Sequence, residues 1–269
     1  MVVAPKSASL ALFALLVVNL GGAESRDRIE TFVGDLPKVS ARSPRIDYEI
    51  DLQRETFAIH VPANYDGSQP YGLIVFIPAA GLTVGAPNGW AQVLEERRLL
   101  LVVPQNAVNG VAKATRLGLG VVAALKMQER YRIDPRRIYA AGISGGARIA
   151  CRLGFYQSDL FRGTIQSCGS DFPRVVPRMK AVPLDRDQGQ EYGVMEATET
   201  EAQRARTNVR FVIATGPGDF RYGNLFDIFH GGFMRDGYKA GFIDVPEMRH
   251  AVCSGETLRR ALDFLDGGL

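Results

Sequence analysis

Five consecutive residues, Gly142-Ile143-Ser144-Gly145-Gly146, fit the pattern G-x-S-x-G. Glycines two before and two after a serine let the chain turn sharply from strand to helix and leave the hydroxyl projecting above a sheet edge. The flanking residues suit that geometry: Arg137–Ala141 (RIYAA) reads as a strand and Ala147–Phe155 as a helix. A helix starting there points its free N–H groups at the same spot, where they would stabilise a developing oxyanion. Without that context the motif is only a glycine-rich turn.

A nucleophilic serine needs a base, and the chain holds three histidines. His60 lies inside an alternating segment and reads as a surface or strand-packing residue. His230 sits in Phe226–His230, on the face of an expected helix. His250 follows an apolar strand, Gly241–Val245, and the turn Pro246–Arg249. Loops at the carboxyl ends of strands are where sheet enzymes place catalytic groups, so His250 is the expected base. The base in turn needs a carboxylate to fix its tautomer and stabilise the imidazolium. Asp219 closes Thr215–Asp219 (TGPGD), directly after the strand Val209–Ala214, and is the expected acid. Read on its own it is a turn aspartate. Asp171, after the strand Gly163–Ser167, is the alternative, and Asp227 a weaker one inside a helix. The resulting order, Ser144, Asp219, His250, is that of α/β-hydrolases.

The elements that must position these residues alternate. Asp47–Leu52 and Thr56–Val61 show a period of two and suggest an antiparallel hairpin. Gly72–Pro78 and Leu99–Val103 are continuous apolar runs, as expected of central strands covered on both faces. Helical spacing marks Trp90–Arg98, Thr115–Arg130, Gly145–Phe155, Leu225–Asp236 and Thr257–Leu265. Strands and helices in alternation imply an α/β fold, a mostly parallel sheet with helices on both faces. Asp171–Tyr192 breaks the rhythm, with four basic residues, several prolines and no period. It reads either as a lid over one end of the sheet or as a decorative loop. No repeat or linker divides residues 24–269, which are expected to form one domain.

Residues 1–23 differ from the rest. Lys6 precedes the apolar run Leu10–Val18, and Gly21-Gly22-Ala23 follows before Glu24, the layout of a secretory signal peptide cleaved after Ala23. The run is short for a membrane span, which needs about 20 residues. A soluble protein, secreted or periplasmic and without stable membrane association, is expected. Export would permit disulfides, but three cysteines cannot build a scaffold. Cys151, seven residues after Ser144, is expected to face the sheet as a core thiol. If a bridge forms, Cys168–Cys253 is the expected pair; otherwise all three are free. No Cys/His spacing suggests a metal, and no cofactor is implied. With 32 basic and 29 acidic residues, scattered rather than clustered, a nucleic-acid partner is not expected.

From about Pro70 to Leu265 the chain resembles the secreted esterases related to polyhydroxybutyrate depolymerases and feruloyl or acetylxylan esterases. The resemblance is carried by Tyr131–Gly146 (YRIDPRRIYAAGISGG), Asp159–Gly163 (DLFRG) and Val245–His250 (VPEMRH). It implies Ser144 as nucleophile, Asp219 as acid and His250 as base. Such enzymes commonly carry His-Gly after the third strand, where a loop donates the second oxyanion N–H. Here Ile77-Pro78-Ala79-Ala80-Gly81 stands in that place, leaving the backbone of Ala80 to act beside that of Gly145. The implied reaction is hydrolysis of a small-molecule or polymer-derived ester. A serine peptidase on the same fold, or a hydrolase-like binding protein without turnover, would share these residues.

Overall fold

The computed structural model describes residues 26–35, 38–39, 42–81, 85–179 and 192–267. The expected leader, residues 1–23, and residues 180–191 of the expected excursion lie outside the described residues.

Among the described residues eight strands form one sheet: β1 (Arg26–Glu30), β2 (Phe57–Val61), β3 (Tyr71–Ile77), β4 (Leu99–Pro104), β5 (Ile133–Ile143), β6 (Gly163–Ser167), β7 (Arg210–Thr215) and β8 (Lys239–Asp244). Their order across the sheet is β1-β2-β4-β3-β5-β6-β7-β8. β2 is antiparallel to β1 and β4, and every pairing from β4 to β8 is parallel. This is the α/β-hydrolase fold.

The apolar runs are central strands because both of their faces are covered. Leu73, Val75 and Ile77 of β3 pack into one hydrophobic cluster with Leu117 and Val121 of helix α2 (Lys113–Arg130) and Ile149 and Leu153 of α3 (Gly145–Tyr156). The alternate residues Ile74 and Phe76 pack into a second cluster with Trp90 and Leu94 of α1 (Trp90–Arg97) and Leu258 and Leu262 of α6 (Gly255–Asp266). Ala202 and Ala205 are the buried residues of α4 (Glu199–Asn208), and Ala205 joins the first cluster. Two covered faces leave the strand ends as the places for polar chemistry.

Two sequence expectations are corrected here. An antiparallel N-terminal pair exists, but the partner of β2 is β1 and not Asp47–Leu52. The apolar alternation of the latter serves packing against a helix: Ile46, Ile50 and Leu52 are buried, and the Asp47 amide donates to Ala114 O at 3.1 Å. Gly118 permits this approach, since a Cβ there would lie 1.9 Å from Asp47 O. Leu225–Asp236, expected as one helix, is a short α5 (Tyr222–Asp227) opening into a π-helical stretch, Ile228–Met234, that contains Gly231-Gly232.

The three cysteines are free and buried. Cys151 packs in the first cluster and donates to Asp171 O at 3.1 Å. No Cys168–Cys253 bridge forms, and hydrogen bonds tie the His250 loop to β6 instead. The Cys168 thiol donates to Arg249 O and Ala251 O, both at 3.4 Å, and the Cys253 amide donates to Ser167 Oγ at 3.2 Å. Burial pushes the Cys151 thiol up to about 12 and Cys253 up to about 11. Thiolate is the nucleophile toward alkylating agents. Native protein treated with iodoacetamide near pH 8 should therefore remain unmodified by intact mass, and should take up three adducts once unfolded.

Candidate functional site

Ser144 separates β5 from α3 with φ 55° and ψ −119°. A residue other than glycine rarely adopts a positive φ, and such a conformation persists only where its surroundings enforce it. Here the Ser144 amide donates to Ser167 O at 2.9 Å, and Ser144 O accepts from the Arg148 amide at 3.1 Å. Gly146 is what lets α3 start so close to β3, because a Cβ there would lie 2.0 Å from Ile77 O. The strand–turn–helix context expected of the G-x-S-x-G motif is present.

Asp219 and His250 meet through loops that follow β7 and β8, and a single parallel bridge between Gly218 and Arg249 joins those loops. His250 Nδ1 lies 2.7 Å from Asp219 Oδ1. The Arg221 amide donates to the same oxygen at 3.0 Å, and Thr215 Oγ1 donates to Oδ2 at 2.7 Å. The carboxylate is thus satisfied on both oxygens and fully buried, whereas the His250 side chain keeps 25% of its surface. That is the arrangement in which a carboxylate fixes an imidazole and leaves Nε2 free to work. β6 lies between β5 and β7 and links the two halves: Ser167 holds the Ser144 amide, and the next residue, Cys168, approaches the acid and the histidine. Cys168 Sγ, an Asp219 oxygen and a His250 nitrogen lie within 4.8 Å of one another. This donor set could ligate a soft metal, but the Nδ1 is already committed to Asp219 and the thiol to two carbonyls.

The loop after β3 is fixed by a buried arginine. Arg116 donates through Nε to Ala107 O at 2.8 Å, through Nη2 to Pro78 O at 3.2 Å and through Nη1 to Asn109 Oδ1 at 3.2 Å. The Asn109 amide donates to Ala79 O at 2.8 Å, and its side chain abuts Gly145, where a Cβ would meet Oδ1 at 2.1 Å. Burial lowers the Arg116 guanidinium to about 10, which leaves it charged at neutral pH. These bonds hold the Pro78–Gly81 segment, with Ala80 in it, against the elbow by its carbonyls.

The other sequence candidates are engaged elsewhere. Asp171, the alternative acid, is fully buried and paired with Arg148 at 2.5 Å and with Arg152. Asp227 accepts from Arg178 Nη1 and from the Met179 amide, each at 2.9 Å. His60 bonds Asp27 through Nδ1 at 2.6 Å within the β1–β2 pair. His230 is exposed and packs on Phe226 and Phe229 with centroids 4.2 and 4.8 Å away.

Several residues at the site carried no motif signal. Phe220, 44% exposed, stacks on the His250 ring with centroids 4.3 Å apart. The Arg221 guanidinium lies 5.0 Å from the Phe220 ring and 4.4 Å from the Tyr192 ring, and that of Arg148 lies 5.2 Å from the same Tyr192 ring. Adjacency offered the available clue: Phe220 and Arg221 follow Asp219 directly, and Arg148 stands one helical turn after Ser144.

No protein-family model matches the chain, and no curated protein matches it in sequence. Solved structures do. A ferulic acid esterase superposes with a TM-score of 0.60 at 16% identity, over 90% of this chain and 97% of its own. S-formylglutathione hydrolase from Staphylococcus aureus gives 0.59 at 11% identity, over 90% of this chain and 99% of its own. An acylaminoacyl peptidase gives 0.56 at 14% identity and is covered over 41% of its length, against 90% of this chain. At these identities the likeness shows a shared architecture, and the chain has the α/β-hydrolase fold.

Proposed function

We propose that the protein is a secreted serine hydrolase that cleaves carboxylic esters through an acyl-enzyme on Ser144. The observation that carries this reading is the strained elbow at Ser144 together with the buried Asp219–His250 pair, brought from the ends of neighbouring strands. In the reaction, His250 Nε2 takes the Ser144 proton as Oγ attacks the ester carbonyl. The backbone N–H groups of Gly145 and Ala80 receive the oxyanion. Collapse expels the alcohol, protonated by His250, and water activated by the same imidazole releases the acid. Asp219 accepts from Nδ1 and holds the imidazole in the tautomer that keeps Nε2 as acceptor.

The extent of the structural matches supports esters over amides. The esterase and the S-formylglutathione hydrolase match over nearly their whole length, whereas the acylaminoacyl peptidase matches over 41% of its chain. Export rests on the leader pattern of residues 1–23, and among the described residues no helix is long and apolar enough to cross a membrane. The test is labelling with a fluorophosphonate followed by peptide mapping, alongside assays with acetyl, feruloyl and hydroxybutyrate esters. The adduct is expected on Ser144 with turnover of at least one ester. Absence of labelling would reduce the protein to a hydrolase-like binder, and cleavage of peptide amides alone would make it a peptidase.

A further inference from the structure

We infer that the site selects esters that carry a carboxylate, held by the Arg221 and Arg148 guanidiniums on an aromatic wall beside His250. The inference rests on the hydrolase reading above and names its substrate class. The wall is continuous with the catalytic histidine: Phe220 stacks on His250, Arg221 lies over Phe220 and Tyr192, and Arg148 lies over Tyr192.

The charge count favours an anion. The Asp171 carboxyl supplies at most one negative charge, and it faces two guanidiniums, Arg148 and Arg152. The Asp219 carboxylate is fully buried and occupied by His250, Thr215 and the Arg221 amide, not by the Arg221 side chain. Among the described residues the Arg221 guanidinium has no carboxylate partner. Arg249 and Glu247, both exposed on the turn before His250, offset one another. Among the described residues a net positive charge therefore lies along the Tyr192–Phe220 wall beside His250.

The placement also suits recognition. An arginine stacked on aromatic rings has its plane pre-oriented while its N–H edge stays free, which is the geometry for a bidentate bond to a carboxylate. The Arg221 guanidinium carbon lies over two rings at 4.4 and 5.0 Å, the side chain is only half-buried, and it is one residue from the half-exposed Phe220. Arg148 keeps 33% of its side-chain surface while tethered to Asp171, so it can face a substrate without moving. A wall serving only neutral acyl chains would gain nothing from an unpaired guanidinium, which remains solvated at a cost to apolar burial.

Two ester pairs test this. Mono-(4-nitrophenyl) adipate is compared with 4-nitrophenyl hexanoate, which places the carboxylate on the acyl side. 3-Carboxyphenyl butyrate is compared with phenyl butyrate, which places it on the leaving group. The readout is the ratio of kcat/KM, anionic over neutral, within each pair, so that a general loss in a variant cancels. Wild-type protein should favour the anionic member of at least one pair by about tenfold, the scale of a charge-assisted hydrogen bond. Arg221→Gln should bring that ratio near one, Arg221→Glu should invert it, and 0.5 M NaCl should shrink it in the wild type. Turnover of the neutral esters with no anionic preference, or a preference unchanged in both variants, overturns the inference and leaves ester hydrolysis standing. No turnover of any of the four esters by wild-type protein sinks both readings together.

Discussion

Replacing Ser144 with alanine should lower kcat for ester hydrolysis by on the order of 10⁶-fold, with a remainder from the oxyanion donors and binding alone. The fold should survive. The strain at φ 55° is imposed by backbone bonds, Ser144 N–H to Ser167 O and Arg148 N–H to Ser144 O, and neither uses the hydroxyl. Alanine keeps the Cβ, and with it the same conformational cost, so the thermal midpoint should move by no more than a few degrees. Serine at such a position is costly without a use for its Oγ, which is why the comparison is informative. A variant that keeps more than about a tenth of the wild-type rate would show that Ser144 is a turn residue and not the nucleophile.

How much of this was legible in the sequence depends on how local each signal is. β3 and β4 announced themselves because a strand covered on both faces has to be apolar at every position, as Leu73 to Ile77 and Leu99 to Val103 are. The elbow was legible because its glycines answer to contacts within a few residues or with the adjacent strand. β1 was not. Its sequence, Arg-Asp-Arg-Ile-Glu, lies at the sheet edge, half exposed, and becomes a strand only because β2 offers it a free ladder. The alternation in Asp47–Leu52 was read as pairing when it records burial against α2, and periodicity alone does not distinguish the two. α4 was not anticipated because it is polar at most positions and shows no apolar stripe; in the structure Thr198 and Glu201 form a capping box at its start. The site shows the same division. Ser144, Asp219 and His250 were expected from chain order and strand ends, and the structure brings Asp219 and His250 together, whereas Tyr192, Phe220 and the arginines gain meaning from tertiary contacts at which adjacency only hinted.

The second large effect separates two buried aspartates, the expected acid Asp219 and its alternative Asp171. Asp219→Asn should lower kcat by on the order of 10³- to 10⁴-fold, because an amide beside Nδ1 can favour the wrong imidazole tautomer and cannot stabilise the imidazolium. Its cost in stability should be smaller, about 1–2 kcal/mol, since the amide oxygen can still accept from Thr215 Oγ1 or the Arg221 amide. Asp171→Asn should do the opposite. Its carboxyl is fully buried between Arg148 and Arg152, and removing the charge leaves two guanidiniums facing each other. Breaking a buried pair in this way costs about 3–5 kcal/mol, or a fall of roughly 10 °C in Tm for a domain of this size. Turnover of neutral esters below that temperature should fall only a few-fold, because Asp171 makes no bond to His250. Calorimetric melting and kcat measured on both variants give a crossed result if the assignment holds. If Asp171→Asn is the variant that loses turnover and Asp219→Asn the one that loses stability, the acid of the site belongs to β6, and the short Asp219–His250 contact is only a turn bond.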